Sequence, residues 1–188
     1  GECMSCVPDA FKAMVPAIFI LTFAWTLSGI CSEEYLDLRG FVAYHIGTGN
    51  TGLLMFMPAI FFVVALGIAF ATGTSWGTFG ILIPVAFSIF GTGNMLAITV
   101  AACLAGAVCG DHISPISDTT ILASAGAQCK HLDHVSTQIP YAMSVAAMSF
   151  VGYIVAGVTL NGWLGLATGA VLLFVFAVVM TKKQKAKK

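Results

Sequence analysis

The chain is a succession of apolar runs, each about as long as a bilayer is thick, and two of them are interrupted by polar, glycine-rich residues where hydrocarbon should continue. A membrane core of about 30 Å takes about 20 residues of helix at 1.5 Å rise each. Residues 10–31 make one such run, 136–159 a second and 162–181 a third, the last two joined by a tight Asn161-Gly162 turn. Residues 53–92 are apolar except at 72–78, which read TGTSWGT, and 94–127 are broken by GDHISPISD at 110–118. Only 9% of the 188 residues are charged, against roughly a quarter in a soluble domain, which excludes a water-soluble globule. The expected fold is an all-α integral membrane protein. It is a polytopic helical bundle with a polar-tipped hairpin (about 53–92) and a broken transmembrane helix (about 94–127), in one transmembrane domain over 1–188. The first run lacks the pattern of a signal peptide, and a chain that starts at Gly1 reads as the cut end of something longer.

Charge sits at the ends of these runs. Counting short flanks, Lys12, Lys130 and the five lysines after residue 181 fall on one side, and Arg39 alone falls on the other with Glu33, Glu34 and Asp37. Basic flanks stay cytoplasmic, so the C-terminus and the 130–135 loop are expected inside the cell membrane and the 32–40 loop outside. The hairpin then starts and ends outside, whether it dips half-way or crosses twice. Eight acids balance eight bases, so no net basic field recruits nucleic acid, and the terminal KKQKAKK is a lipid-surface anchor.

Backbone groups in hydrocarbon must be paired, so a polar break survives at membrane depth only if it is packed in protein or lines a water-filled cavity. In TGTSWGT, Gly73 and Gly77 let the chain turn sharply. Thr72, Thr74, Ser75 and Thr78 add neutral oxygens that suit a hard monovalent cation, or that merely satisfy a helix end. In the second break, Pro115 has no N–H, clashes with the carbonyl of residue 111 and disfavours helix at Ser114, which frees carbonyls at 111–114. Helix restarts at Ser117 or Asp118. The two carboxylates then sit at opposite helix ends, Asp111 beside a partly negative C-terminus and Asp118 beside a partly positive N-terminus. Asp118 is expected to hold the cation and Asp111 to exchange protons, the plainer reading of Asp111 being an interfacial helix-end residue. His112 either relays protons or caps a helix end. A carboxylate at a membrane helix centre costs at least about 2.5–3.5 kcal/mol, so its default reading is functional.

GDHISPISDTTILASAGA (110–127), HLDHVSTQIPYA (131–142) and ATGTSWGTFGILIP (71–84) together resemble the Na+/H+ antiporter family of the NhaC type. The resemblance implies a secondary active transporter rather than an enzyme, one that exchanges cytoplasmic sodium for external protons. It implies two inverted repeats, each with a re-entrant hairpin and a broken helix, this chain being the C-terminal one. The implied ion site comprises Thr72, Thr74, Ser75 and Thr78 on the hairpin and Asp111, Ser114, Ser117, Asp118, Thr119 and Thr120 on the broken helix. Ile113 stands where many relatives are expected to carry Cys. No cofactor is implied beyond the transported Na+ and H+, and the implied partners are the lipid bilayer and the other repeat of the same protein. The family also holds carriers of organic anions and amino acids, so sodium- or proton-coupled transport of a malate- or lactate-like acid, or of an amino acid, is the alternative. Discontinuous helices whose ends face the solute are how secondary carriers build midplane sites.

Weaker signals lead elsewhere. Gly73-Thr74-Ser75-Trp76-Gly77 matches the G-x-S-x-G elbow of serine hydrolases, but that motif needs a strand before its turn and a helix-length run precedes it here. Cys129, His131, Asp133 and His134 carry metal-ligating chemistry, though they read more simply as a solvated loop. The six cysteines read as small buried thiols. Gly165-x-x-x-Gly169 serves either a homodimer or packing within the chain.

Overall fold

The computed structural model describes residues 51–186 continuously, with scattered positions between 7 and 44. The expected first span (10–31) and the acidic loop after it fall largely outside the described residues. The continuous part is helical, with no strand among the described residues: α1 (Thr51–Thr72), α2 (Ser75–Phe90), α3 (Asn94–Ile113), α4 (Asp118–Gly126), α5 (His131–Thr159) and α6 (Gly162–Ala186). Four of them, α1, α3, α5 and α6, are long and apolar enough to cross a bilayer. The 16 residues of α2 make about 24 Å of helix, short of the hydrocarbon thickness. The molecule is thus a polytopic helical membrane protein.

The seven-residue polar stretch expected to be irregular contributes only two non-helical positions, Gly73 and Thr74. Gly73 turns the chain with φ +67°, a conformation that costs a residue with a Cβ about 1–2 kcal/mol. Thr74 is extended, and its Oγ1 accepts from the N–H of Gly77 at 3.4 Å. That cap restarts the helix, so Ser75 to Thr78 lie in the first turn of α2. Helix α5 likewise begins at His131, earlier than the apolar run at 136, with Asp133 in its first turn complementing the helix dipole.

Helix α3 is the hub, packed against α1, α2, α4 and α5, while α5 carries α6. Lipid is as apolar as a leucine side chain, so close backbone approach and van der Waals contact hold such helices together. The core accordingly mixes small and large residues: Phe61, Ala65 and Ala69 of α1, Leu82 and Ala86 of α2, and Leu96, Cys103 and Ala107 of α3. A methyl group on Gly106 would run into the Phe62 carbonyl, and one on Gly110 into the Leu66 carbonyl. Four residues further on, the Ser114 hydroxyl donates to the Phe70 carbonyl at 2.8 Å. Gly106, Gly110 and Ser114 therefore form one stripe that seats α3 on α1. On the far side, Gly165 packs on Gly152 and Ala156 of α5, so this part of the small-residue stripe on α6 is used within the chain.

Candidate functional site: a buried carboxylate at a helix break

The stripe of small residues brings the two interruptions into contact. Ser114, where α3 ends, is hydrogen-bonded to the last full turn of α1, and a Cβ on Gly73 would come within 2.9 Å of Ile116 in the break. The hairpin tip therefore rests on the gap between α3 and α4.

Ser114 and Ser117 both adopt extended backbone, and Pro115 and Ile116 form the turn between them. Two of the carbonyls freed by Pro115 are recaptured: Asp111 O by the Ser114 N–H at 3.2 Å, and Ser114 O by Thr120 Oγ1 at 2.7 Å. Thr120 Oγ1 also lies 2.9 Å from Ser117 O, and the Pro115 carbonyl accepts from His131 Nε2 at 2.7 Å. The carbonyls of His112 and Ile113 form no hydrogen bond among the described residues. An unpaired carbonyl inside a membrane protein is costly, which explains why side chains close most of the gap and why the remainder is suited to a ligand.

Asp111 is 4% exposed and accepts a 2.7 Å hydrogen bond at Oδ1 from Ser117 Oγ. Since Ser117 has spent its single proton, the 2.8 Å contact between Thr119 Oγ1 and Ser117 Oγ has Thr119 as donor. Ser117 also caps α4, accepting from the Thr119 N–H at 3.2 Å. No other hydrogen bond or ion pair reaches the Asp111 carboxylate among the described residues. Burying a carboxylate without a basic partner carries a desolvation cost that a bound cation would offset.

The expected site residues separate into groups. Asp111, Ser114, Ser117, Thr119 and Thr120 form one hydrogen-bonded cluster. On the hairpin, Thr78 is buried and donates to Thr74 O at 3.0 Å, Thr74 is the cap, and Ser75 is half-buried. Thr72 is exposed and folds its hydroxyl back onto Ile68 O at 2.8 Å, outside the cluster. Asp118 does start α4, but its side chain is exposed, so the oxygens gather around Asp111 instead. The dipole argument places a residue along a helix axis and says nothing of which way it faces around it. His112 is exposed, and its Nδ1 donates to Val108 O at 2.9 Å in its own last turn.

Sequence reasoning missed three features. Gly106 and Gly110 carry a legible GxxxG spacing that continues to Ser114. His131, expected in a solvated loop, is half-buried and ties the break through Pro115 O and, at 3.1 Å, Ser124 Oγ. Phe70 contributes only a backbone carbonyl, which no sequence pattern announces. The G-x-S-x-G match follows a helix, α1, not the strand that a hydrolase elbow requires.

The helix break holds a buried carboxylate whose one hydrogen-bond partner among the described residues is Ser117, and the family and relatives of the chain point to a transporter rather than an enzyme. The model of the Na+/H+ antiporter family matches residues 1–158, and the chain belongs to that family. It is 46% identical over 174 residues to an uncharacterized protein of Haemophilus influenzae, a match that takes in 92% of this chain and 33% of the relative. It is 34% identical over 179 aligned positions to the malate-2H(+)/Na(+)-lactate antiporter of Bacillus subtilis (75% of this chain, 38% of the relative). It is 36% identical over 149 positions to the arginine/ornithine antiporter ArcD of Halobacterium salinarum (75% and 28%). The chain thus spans about a third of the length of the curated relatives it matches. No solved structure matches it.

Proposed function

We propose that the intact protein exchanges cytoplasmic sodium for external protons across the cell membrane, and that Asp111 is where the two ions compete. The observation that carries this reading is the burial of Asp111 with Ser117 as its only polar partner among the described residues. Such a carboxylate alternates between a proton and a sodium ion, and antiport needs one group that cannot hold both. Neutral oxygens for the sodium come from Ser114, Ser117, Thr119 and Thr120 and the open carbonyls of His112 and Ile113. Thr74, Ser75 and Thr78 contribute from the hairpin tip, and Thr72 shapes that tip. Asp118, at the positive end of α4, draws cations toward the break. His112 passes protons at its margin. The lysine-rich C-terminus lies in the cytoplasm, and a second, inverted repeat of the same protein completes the transport path around the break.

Acid-interior vesicles carrying the full-length protein and a pH-sensitive dye test this. Added sodium or lithium should alkalinise the lumen, and Asp111→Asn should abolish the response. No response to either cation, with a response to malate, lactate or a basic amino acid, would move the protein to the exchange that the names of its Bacillus and Halobacterium relatives describe.

A further inference from the structure

Beside the break, between α4 and the first turns of α5, lies a cavity of about 430 Å3 lined by residues that include His112, Thr119, Thr120, Thr137 and Gln138. Its threonine hydroxyl protons are already committed, while the Tyr141 hydroxyl, the His134 ring and the Gln138 amide also line it. Thr120 gives its proton to the carbonyls of Ser114 and Ser117, Thr119 to Ser117 Oγ, and Thr137 to the carbonyls of Asp133 and His134 at 2.8 and 3.0 Å. A hydroxyl that has spent its proton offers only lone pairs. The His112 ring, held through Nδ1 to Val108 O, also lines the cleft. The side-chain oxygen of Gln138 is sealed from solvent and meets no donor. The last torsion of a glutamine is soft and two-fold, so a turn of the amide presents that oxygen to the cavity. The lining residues include no lysine or arginine. Three threonine oxygens that can only accept, in a cleft without lysine or arginine, suit a cation that keeps part of its water.

We infer that this cleft is a second cation site, in which Gln138 Oε1 and the hydroxyl oxygens of Thr119, Thr120 and Thr137 hold a partly hydrated sodium or lithium ion on its way to Asp111. The inference deepens the sodium-exchange reading and rests on it. Thr119 and Thr120 belong to both the cleft and the Asp111 cluster, so an ion in the cleft is one step from the carboxylate.

The test uses the full-length protein in a cysteine-free background, with Tyr141→Cys, an exposed position that lines the cleft, as reporter. Sodium and lithium should slow its reaction with a water-soluble thiol reagent at least threefold, and N-methylglucamine at equal ionic strength should not. The protection should persist with Asp111→Asn and vanish with Gln138→Leu combined with Thr137→Val. Equal protection by N-methylglucamine, no protection by sodium, or protection lost with Asp111→Asn and kept in the double variant overturns the second site. Sodium-driven proton flux without this protection defeats the cleft and leaves the exchange reading standing, whereas protection without flux does the reverse.

Discussion

A single methyl group at Gly110 tests how the site is held. The Cβ of Gly110→Ala would occupy the space of the Leu66 carbonyl and lie 3.0 Å from Ala69 Cβ. Helix α3 must retreat from α1 by about 1 Å to restore ordinary contact, and overpacking of this kind costs about 1–3 kcal/mol. The same retreat stretches the 2.8 Å bond from Ser114 Oγ to Phe70 O past the limit of about 3.5 Å at which a hydrogen bond is lost, for about 0.5–1.5 kcal/mol more. The sum, about 1.5–4.5 kcal/mol, falls on the contact that seats the break against the hairpin. Gly110→Ala should therefore lower the melting temperature of the purified full-length protein and raise its half-saturating sodium concentration. The control is Gly67→Ala on α1, where nothing lies within 4 Å. There the better helix propensity of alanine gains up to about 1 kcal/mol, so the same substitution should leave stability unchanged or slightly improved. Equal thermal shifts for the two variants would refute the reasoning.

Other outcomes follow from the same contacts. Ser117→Ala removes the donor to Asp111 and the cap of α4, about 2–5 kcal/mol together, and should abolish exchange, whereas Ser117→Thr keeps both bonds and should retain much of it in a vesicle flux assay. His131→Ala releases the Pro115 carbonyl and should cost about 1–3 kcal/mol in thermal unfolding, with partial rescue by His131→Gln, which keeps an N–H at similar reach. Asp118→Asn removes only an exposed charge, so sodium affinity should fall a few-fold at low ionic strength and the difference should fade as salt rises through the Debye regime; loss of all exchange at every ionic strength would instead make Asp118 a ligand.

The architecture was legible because bilayer thickness and backbone pairing leave few options. The interruption at Gly73 and Thr74 and the one at Ser114 to Ser117 lie where glycine and proline chemistry put them. Helix bounds drifted where a side chain rescued a helix start, as Thr74 does for α2, since a polar run reads as loop until its cap is known. The site was legible as a set of residue types but not as a constellation. Asp111 and Asp118 are equivalent in composition, and only the rotation of each around its helix buries the first and exposes the second. The seating of the break through Gly106 and Gly110, and its closure by His131, depend on contacts between helices that local spacing does not encode.

The central claim is that sodium and a proton exclude one another at Asp111. Purified full-length protein in weakly buffered solution, loaded with protons and titrated with sodium, measures this directly. The account predicts release of about one proton for each sodium bound, and no release from Asp111→Asn. Sodium binding without proton release, or release that survives Asp111→Asn, would contradict it.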